Sequence, residues 1–190
     1  MRRRGHLGEF EILLIVALAA CGVGLIAGAW QLVARVPITV AVQGTPTLSG
    51  LAPGVRPEQA GPVAVIVDDP TGSQVAWEAL RTAPWFALIV FTLVMLLLVV
   101  RSARRGEPFS DANIQRLALT GWVLLVGSAL AFVLELIAVT ELSESVSVSG
   151  ALSGGATYSF VWAFSSLGFL AVAEVLKRGR AIQADLAGVV

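Results

Sequence analysis

The sequence predicts an all-α membrane protein: a four-transmembrane-helix bundle with a small β-rich extracytoplasmic cap formed by the two outer loops. Three observations carry that expectation. Hydrophobic residues make up 56% of the 190-residue chain and charged residues only 14%, with a mean hydropathy of +0.83. A soluble domain carries about a quarter charged residues. The apolar residues are gathered into four long runs, and the basic residues cluster at alternate ends of those runs. A formal net charge of zero and a single cysteine exclude a nucleic-acid binder driven by basic charge and an intrachain disulfide scaffold.

The hydrocarbon core of a bilayer is about 30 Å thick, so about 20 apolar residues in a helix cross it. Backbone groups in lipid must bond within their own segment, which makes each run helical. The whole chain, 1–190, reads as one membrane domain with spans at 10–34, 82–101, 115–140 and 156–177. Pro84 is taken to mark a helix start, where its missing N–H costs nothing. The outer loops are then 35–81 and 141–155, the inner loop 102–114 and the tail 178–190.

Direction follows from charge. Arg2, Arg3, Arg4, Arg101, Arg104, Arg105, Arg116, Lys177, Arg178 and Arg180 put ten of the thirteen basic residues on one side. The positive-inside rule therefore places both termini in the cytoplasm. Trp30, Trp77, Trp85 and Tyr158 fall near the opposite boundary, where amphipathic rings are favoured. Arginine outnumbers lysine twelve to one, which fits a GC-rich bacterial genome and hence a bacterial plasma membrane. Leu18-Ala19-Ala20-Cys21 matches a lipoprotein cleavage box. Against cleavage, Glu9 and Glu11 interrupt the positive amino end, and the apolar run continues well past Cys21. Retention of the first helix, with Cys21 as a small buried thiol, is the expectation.

In the first outer loop, Val36-Pro37-Ile38-Thr39-Val40-Ala41-Val42 and Val63-Ala64-Val65-Ile66-Val67 are short β-branched runs bracketed by turn formers. Glu144-Ser145-Val146-Ser147-Val148-Ser149 alternates with the period of a half-buried strand. These three pieces are expected to pair, with the Gly/Pro-rich stretch 43–60 irregular between the first two. Asp68-Asp69 reads as a solvated turn, because a calcium site wants six or more oxygens.

The inner loop runs Gly106-Glu107-Pro108-Phe109-Ser110-Asp111-Ala112-Asn113-Ile114. Ser110 is a good N-cap, Asp111 suits the positive helix end, and Phe109 can staple onto Ile114. Gly106-Glu107-Pro108-Phe109-Ser110, then Asn113, Leu117 and Gly121-Trp122, resemble the bacterial membrane family known as domain of unknown function 2975. So does the ending Ala173-Glu174-Val175-Leu176-Lys177-Arg178-Gly179, with Asp185 and Leu186 nearby. The resemblance implies a four-helix membrane protein without an assigned activity, and a cytoplasmic helix-turn-helix regulator as a possible partner. Where the family more often carries adjacent acids, this tail has Gln183-Ala184-Asp185. Glu107, Phe109, Ser110, Asp111, Asn113, Lys177, Arg178 and Asp185 form the candidate cytoplasmic interaction surface.

No catalytic constellation is legible. His6 is the only histidine and lies in the basic amino end, so neither a histidine metal site nor a triad can be assembled. No phosphate-binding glycine motif occurs. The expectation is no enzyme, no cofactor, no metal and no direct contact with nucleic acid. The candidate intramembrane polar site is Glu135, near the outer boundary, with Arg35 and Arg81 as partners. Ser128, Ala131 and Ala138 share its helix face, a small-residue stripe favouring close packing. Ala20, Gly24 and Gly28 give a second small-residue pattern, read as packing within the bundle or as contact in a homo-oligomer. Two functions survive. One is a regulatory or sensing module linking the outer cap to a cytoplasmic partner. The other is a homo-oligomeric channel or small permeation unit using Glu135, although the spans offer only scattered polar residues.

Overall fold

The computed structural model describes residues 6–43, 55–57, 64–106, 109–146, 153–154, 156 and 158–187. Along the chain these form α1 (His6–Ala34), β1 (Ile38–Gln43), β2 (Val55–Pro57), β3 (Ala64–Val67), α2 (Gly72–Arg104), α3 (Asp111–Val146), β4 (Ser153–Gly154) and α4 (Phe160–Ala187). The protein is mostly helical. Its four helices contain apolar segments at Leu7–Gln31, Gly72–Arg104, Asp111–Val146 and Phe160–Ile182, each long enough to cross a bilayer.

Helix ends differ instructively from the expected spans. Helix α2 begins at Gly72, so Pro84 lies inside it and not at its start. The start is set by a reciprocal cap. Thr71 N–H donates to Gln74 Oε1 at 2.8 Å, and Gln74 N–H donates to Thr71 Oγ1 at 3.3 Å. This Thr-x-x-Gln capping box satisfies two of the donors that every helix start leaves orphaned. Helix α1 stops at Arg35, which takes φ 47° while Val36 N–H reaches back to Gln31 C=O at 3.3 Å. That is the six-to-one closure of a Schellman end, here built without glycine.

The chain packs as two compact units, Met1–Val23 with Phe86–Ser128 and Ser159–Val190, and Gly24–Trp85 with Ala129–Tyr158. In the first, Leu14, Leu88, Val100, Leu117, Leu124 and Ala173 are buried. Glycines on α3 set its closest approaches. A Cβ on Gly121 would stand 2.6 Å from Leu170 Cγ and 3.0 Å from Ser166 O of α4, and one on Gly127 would stand 2.7 Å from Leu88 Cδ2 of α2. Buried hydroxyls in this unit bond back along their own helices, Thr120 to Arg116 C=O at 2.7 Å and Ser166 to Ala163 C=O at 2.7 Å. Polar groups thus stay satisfied in an apolar setting.

The second unit holds a small antiparallel sheet in the order β2-β3-β1-β4. Ile38 pairs with Val67 and Val40 with Val65. Val42 pairs with Gly154. Val40, Val65, Val67, Leu142 and Val146 form its buried core, with Ile38 and Trp77 packed alongside.

Two expectations for the sheet need correcting. Glu144, Ser145 and Val146 continue α3, and the second-loop strand is instead Ser153–Gly154; residues 147–149 lie outside the described residues. Leu142 and Val146 stand four apart, so helical geometry turns both toward the sheet. Ser143 and Ser145 donate to Thr140 C=O and Leu142 C=O at 2.8 and 2.7 Å, satisfying their hydroxyls inside the helix. The stretch expected to be irregular supplies β2, which pairs Arg56 with Ile66.

Candidate functional site

In the first unit, the start of α3 and the last turns of α4 meet. The Phe109 ring lies where a Cβ on Gly179 would touch it, at 3.4 Å from Cε1. Two residues past Phe109 and one past Gly179, Asp111 and Arg180 form an ion pair. Asn113 is fully buried and accepts from Arg116 Nη1 at 3.2 Å. Ser110 occupies the N-cap position, with its carbonyl accepting from Asn113 N–H at 3.0 Å and Ile114 N–H at 3.2 Å. Its hydroxyl does not cap: Oγ is buried without a hydrogen bond among the described residues. Contacts to α4 hold this helix start in place of a side-chain cap.

Beside these contacts the two helices leave a groove of about 590 Å³. Ile114, Ala118, Leu170 and Ala173 line it with apolar surface, and Asp111, Gln115, Glu174, Lys177 and Arg180 supply polar groups. Glu174 is paired with Arg178 at 3.0 Å. Of the expected interaction surface, Phe109, Asp111, Lys177 and Arg178 come together here. Glu107 lies outside the described residues, as does the side chain of Asp185.

Around Glu135 the structure differs from the arginine partners expected. Glu135 Oε2 accepts from the Trp85 indole Nε1–H at 2.8 Å. Arg81 is engaged by Glu78, three residues before it, at 2.6 Å. Arg35 is exposed at the left-handed end of α1. Ser128, Ala131 and Ala138 are each at most 1% exposed. Phe132 stands edge-on to Tyr158 with ring centroids 5.4 Å apart.

One polar contact had no signal in the sequence reading. Glu11 of α1 meets Arg101 Nε at 3.0 Å and also pairs with Arg104, both near the end of α2. The carboxylate is largely shielded while both guanidinium groups are about half exposed. The small residues of α1 make less use of their size: Ala20 is exposed, and a Cβ on Gly28 would meet nothing within 4 Å. Among the described residues no group of three His, Cys, Asp or Glu side chains is arranged to hold a metal ion.

Four long apolar helices and a small sheet define a class compatible with multi-pass membrane proteins. A family model described as "Protein of unknown function (DUF2975)" matches residues 61–190, and the chain belongs to that family. The match includes residues 106–122 and 173–186, which carry the resemblance. No curated protein and no solved structure matches the chain.

Proposed function

We propose that this is a non-enzymatic integral membrane protein of a bacterial plasma membrane, with both termini in the cytoplasm. It acts as a regulatory or sensing module. The sheet forms an extracytoplasmic cap, and the surface built from the inner loop and the end of α4 docks a cytoplasmic partner, such as a helix-turn-helix regulator. The observation that carries this reading is the joining of Phe109 and Asp111 to Gly179 and Arg180. Residues 70 positions apart in sequence make one surface, on the side that the basic-residue bias assigns to the cytoplasm. Helix α3 supplies Asp111 and Ile114 to that surface and Leu142 and Val146 to the core of the sheet. The indole bond to Glu135 supports a packing role for that carboxylate over an ion relay.

The test is affinity capture from native membranes, comparing the parent chain with Arg178→Glu, at a side chain 78% exposed and outside the apolar core. A cytoplasmic protein recovered by the parent and lost by the variant supports docking; recovery unchanged by the variant, or of copies of the chain alone, removes it. Orientation is tested separately in a Cys21→Ser background. Impermeant thiol reagent applied from outside should label Thr39→Cys and spare Ala181→Cys, and the reverse pattern would invert the topology.

A further inference from the structure

We infer that the groove between α3 and α4 is a binding site for one anionic glycerophospholipid. Three features of its lining point there. First, its four charges, two of each sign, are unequally engaged. Asp111 is taken by Arg180 and Glu174 by Arg178, whereas Lys177 makes no ion pair among the described residues and is exposed at the rim. The ammonium of Lys177 and the exposed amide of Gln115 are therefore left to meet an outside acceptor, and the one lining charge without an ion pair among the described residues is positive. Second, polarity is graded along the groove. Lys177 and Leu170 are seven residues apart on α4, about 10 Å of helix rise. Over that depth the lining passes from the ammonium and amide, past the Glu174 carboxylate held by Arg178, to Ala173, Ala118 and Leu170. A phosphodiester followed by the first part of an acyl chain has the same order of polarity over a similar length. Third, a groove of about 590 Å³ lies within the range of small-molecule sites and exceeds what a lone phosphate would fill. Basic pockets between membrane helices on the cytoplasmic side are where anionic headgroups bind. A lipid seated here bridges α3 and α4 beside the docking surface, so membrane composition would bias that surface.

The inference rests on the membrane placement proposed above, and the experiment separates the two. The full chain is extracted from membranes, first by alkaline wash to establish that it is embedded, and then purified in an uncharged detergent. Native mass spectrometry follows its titration with phosphatidylglycerol, with phosphatidylcholine of the same acyl chains, and with inorganic phosphate. The expected result is one phosphatidylglycerol retained per chain, preferred over phosphatidylcholine by about fivefold, the scale of one interfacial cation. Lys177→Gln, at an exposed position, should abolish the preference. Ala118→Trp, which fills the apolar floor, should weaken both lipids, and Arg105→Gln, outside the groove, should change neither. Equal retention of the two lipids, a preference that survives Lys177→Gln, phosphate competing as well as lipid, or a second copy of the chain in place of lipid would each overturn the site. A chain released by the alkaline wash would instead overturn the membrane placement.

Discussion

The most apolar stretch of α1 has a mean hydropathy of 2.6 and buries 6% of its residues within the chain, whereas that of α3 has 2.4 and buries 28%. Hydropathy alone would have ranked α1 as the more interior helix. The difference comes from where small side chains meet a neighbour. On α3, Gly121 and Gly127 are filled by Leu170 and Leu88, and Ser128, Ala131 and Ala138 are buried. On α1, Gly22 and Gly28 face open space, and Ile26, Trp30 and Val33 are exposed. In a bilayer an apolar side chain gains nothing from burial that lipid does not also offer, so close packing decides which helix is buried. On each helix one acid reaches a partner on α2, answered differently: Glu135 on α3 by a neutral indole, Glu11 on α1 by two guanidinium groups.

The contrast breaks first at Gly121. Gly121→Ala places a methyl against Leu170 Cγ and the Ser166 carbonyl, and overpacking of that kind costs about 1–3 kcal/mol. Its unfolding temperature in detergent should fall clearly; an unchanged value would mean that α4 does not approach α3 so closely. Next comes Trp85→Phe, which removes the donor to Glu135 and should cost about 1 kcal/mol. Glu135→Gln keeps an acceptor for the indole, so it should cost less. Should thermal melts reverse that order, the negative charge itself holds the packing; a Glu135→Gln chain that melts like its parent but loses a pH-dependent ion flux in liposomes would instead favour the relay.

Smaller again is the effect of Glu11→Gln. The guanidinium groups it leaves are 47% and 51% exposed, so water and salt already weaken the pair. The difference in melting between parent and variant should shrink from low to molar salt, and a salt-independent difference would point to packing as the cause. The smallest effect belongs to Gly28→Ala. With nothing near the new methyl, the gain in helix propensity should stabilise by less than about 1 kcal/mol. Measurable destabilisation or a change in oligomer mass would reveal a protein neighbour on α1, most simply a second copy.

The four helices and the first two sheet strands found from pattern, β1 and β3, were legible because long charge-free runs and β-branched alternation report their environment directly. The strand reading at Glu144, Ser145 and Val146 failed because alternating Ser and Val also fits a helix that needs only every fourth residue apolar. Thr71-Gly72-Ser73-Gln74 did contain its signal, the capping box that fixes α2 ten residues ahead of the expected span. Reading Pro84 as a boundary obscured it. The site was harder. Phe109 and Asp111 were singled out from the inner loop and Lys177 and Arg178 from the tail, but no local pattern could join them across 60 or more intervening residues. For the same reason Glu11 reads in the sequence only as an interruption of positive charge, with Arg101 and Arg104 some 90 positions away.

The pairing of Asp111 with Arg180, and of Gly121 with Leu170, also sets an order of events during synthesis. Helix α3 is synthesised before either partner on α4. At about 5–20 residues per second its first half then waits on the order of seconds. During that interval the ledge at Gly121, the acid at the helix start and the future groove are open to whatever lies beside them. Any factor that assists folding of this chain has its window there, and it closes when the last helix arrives.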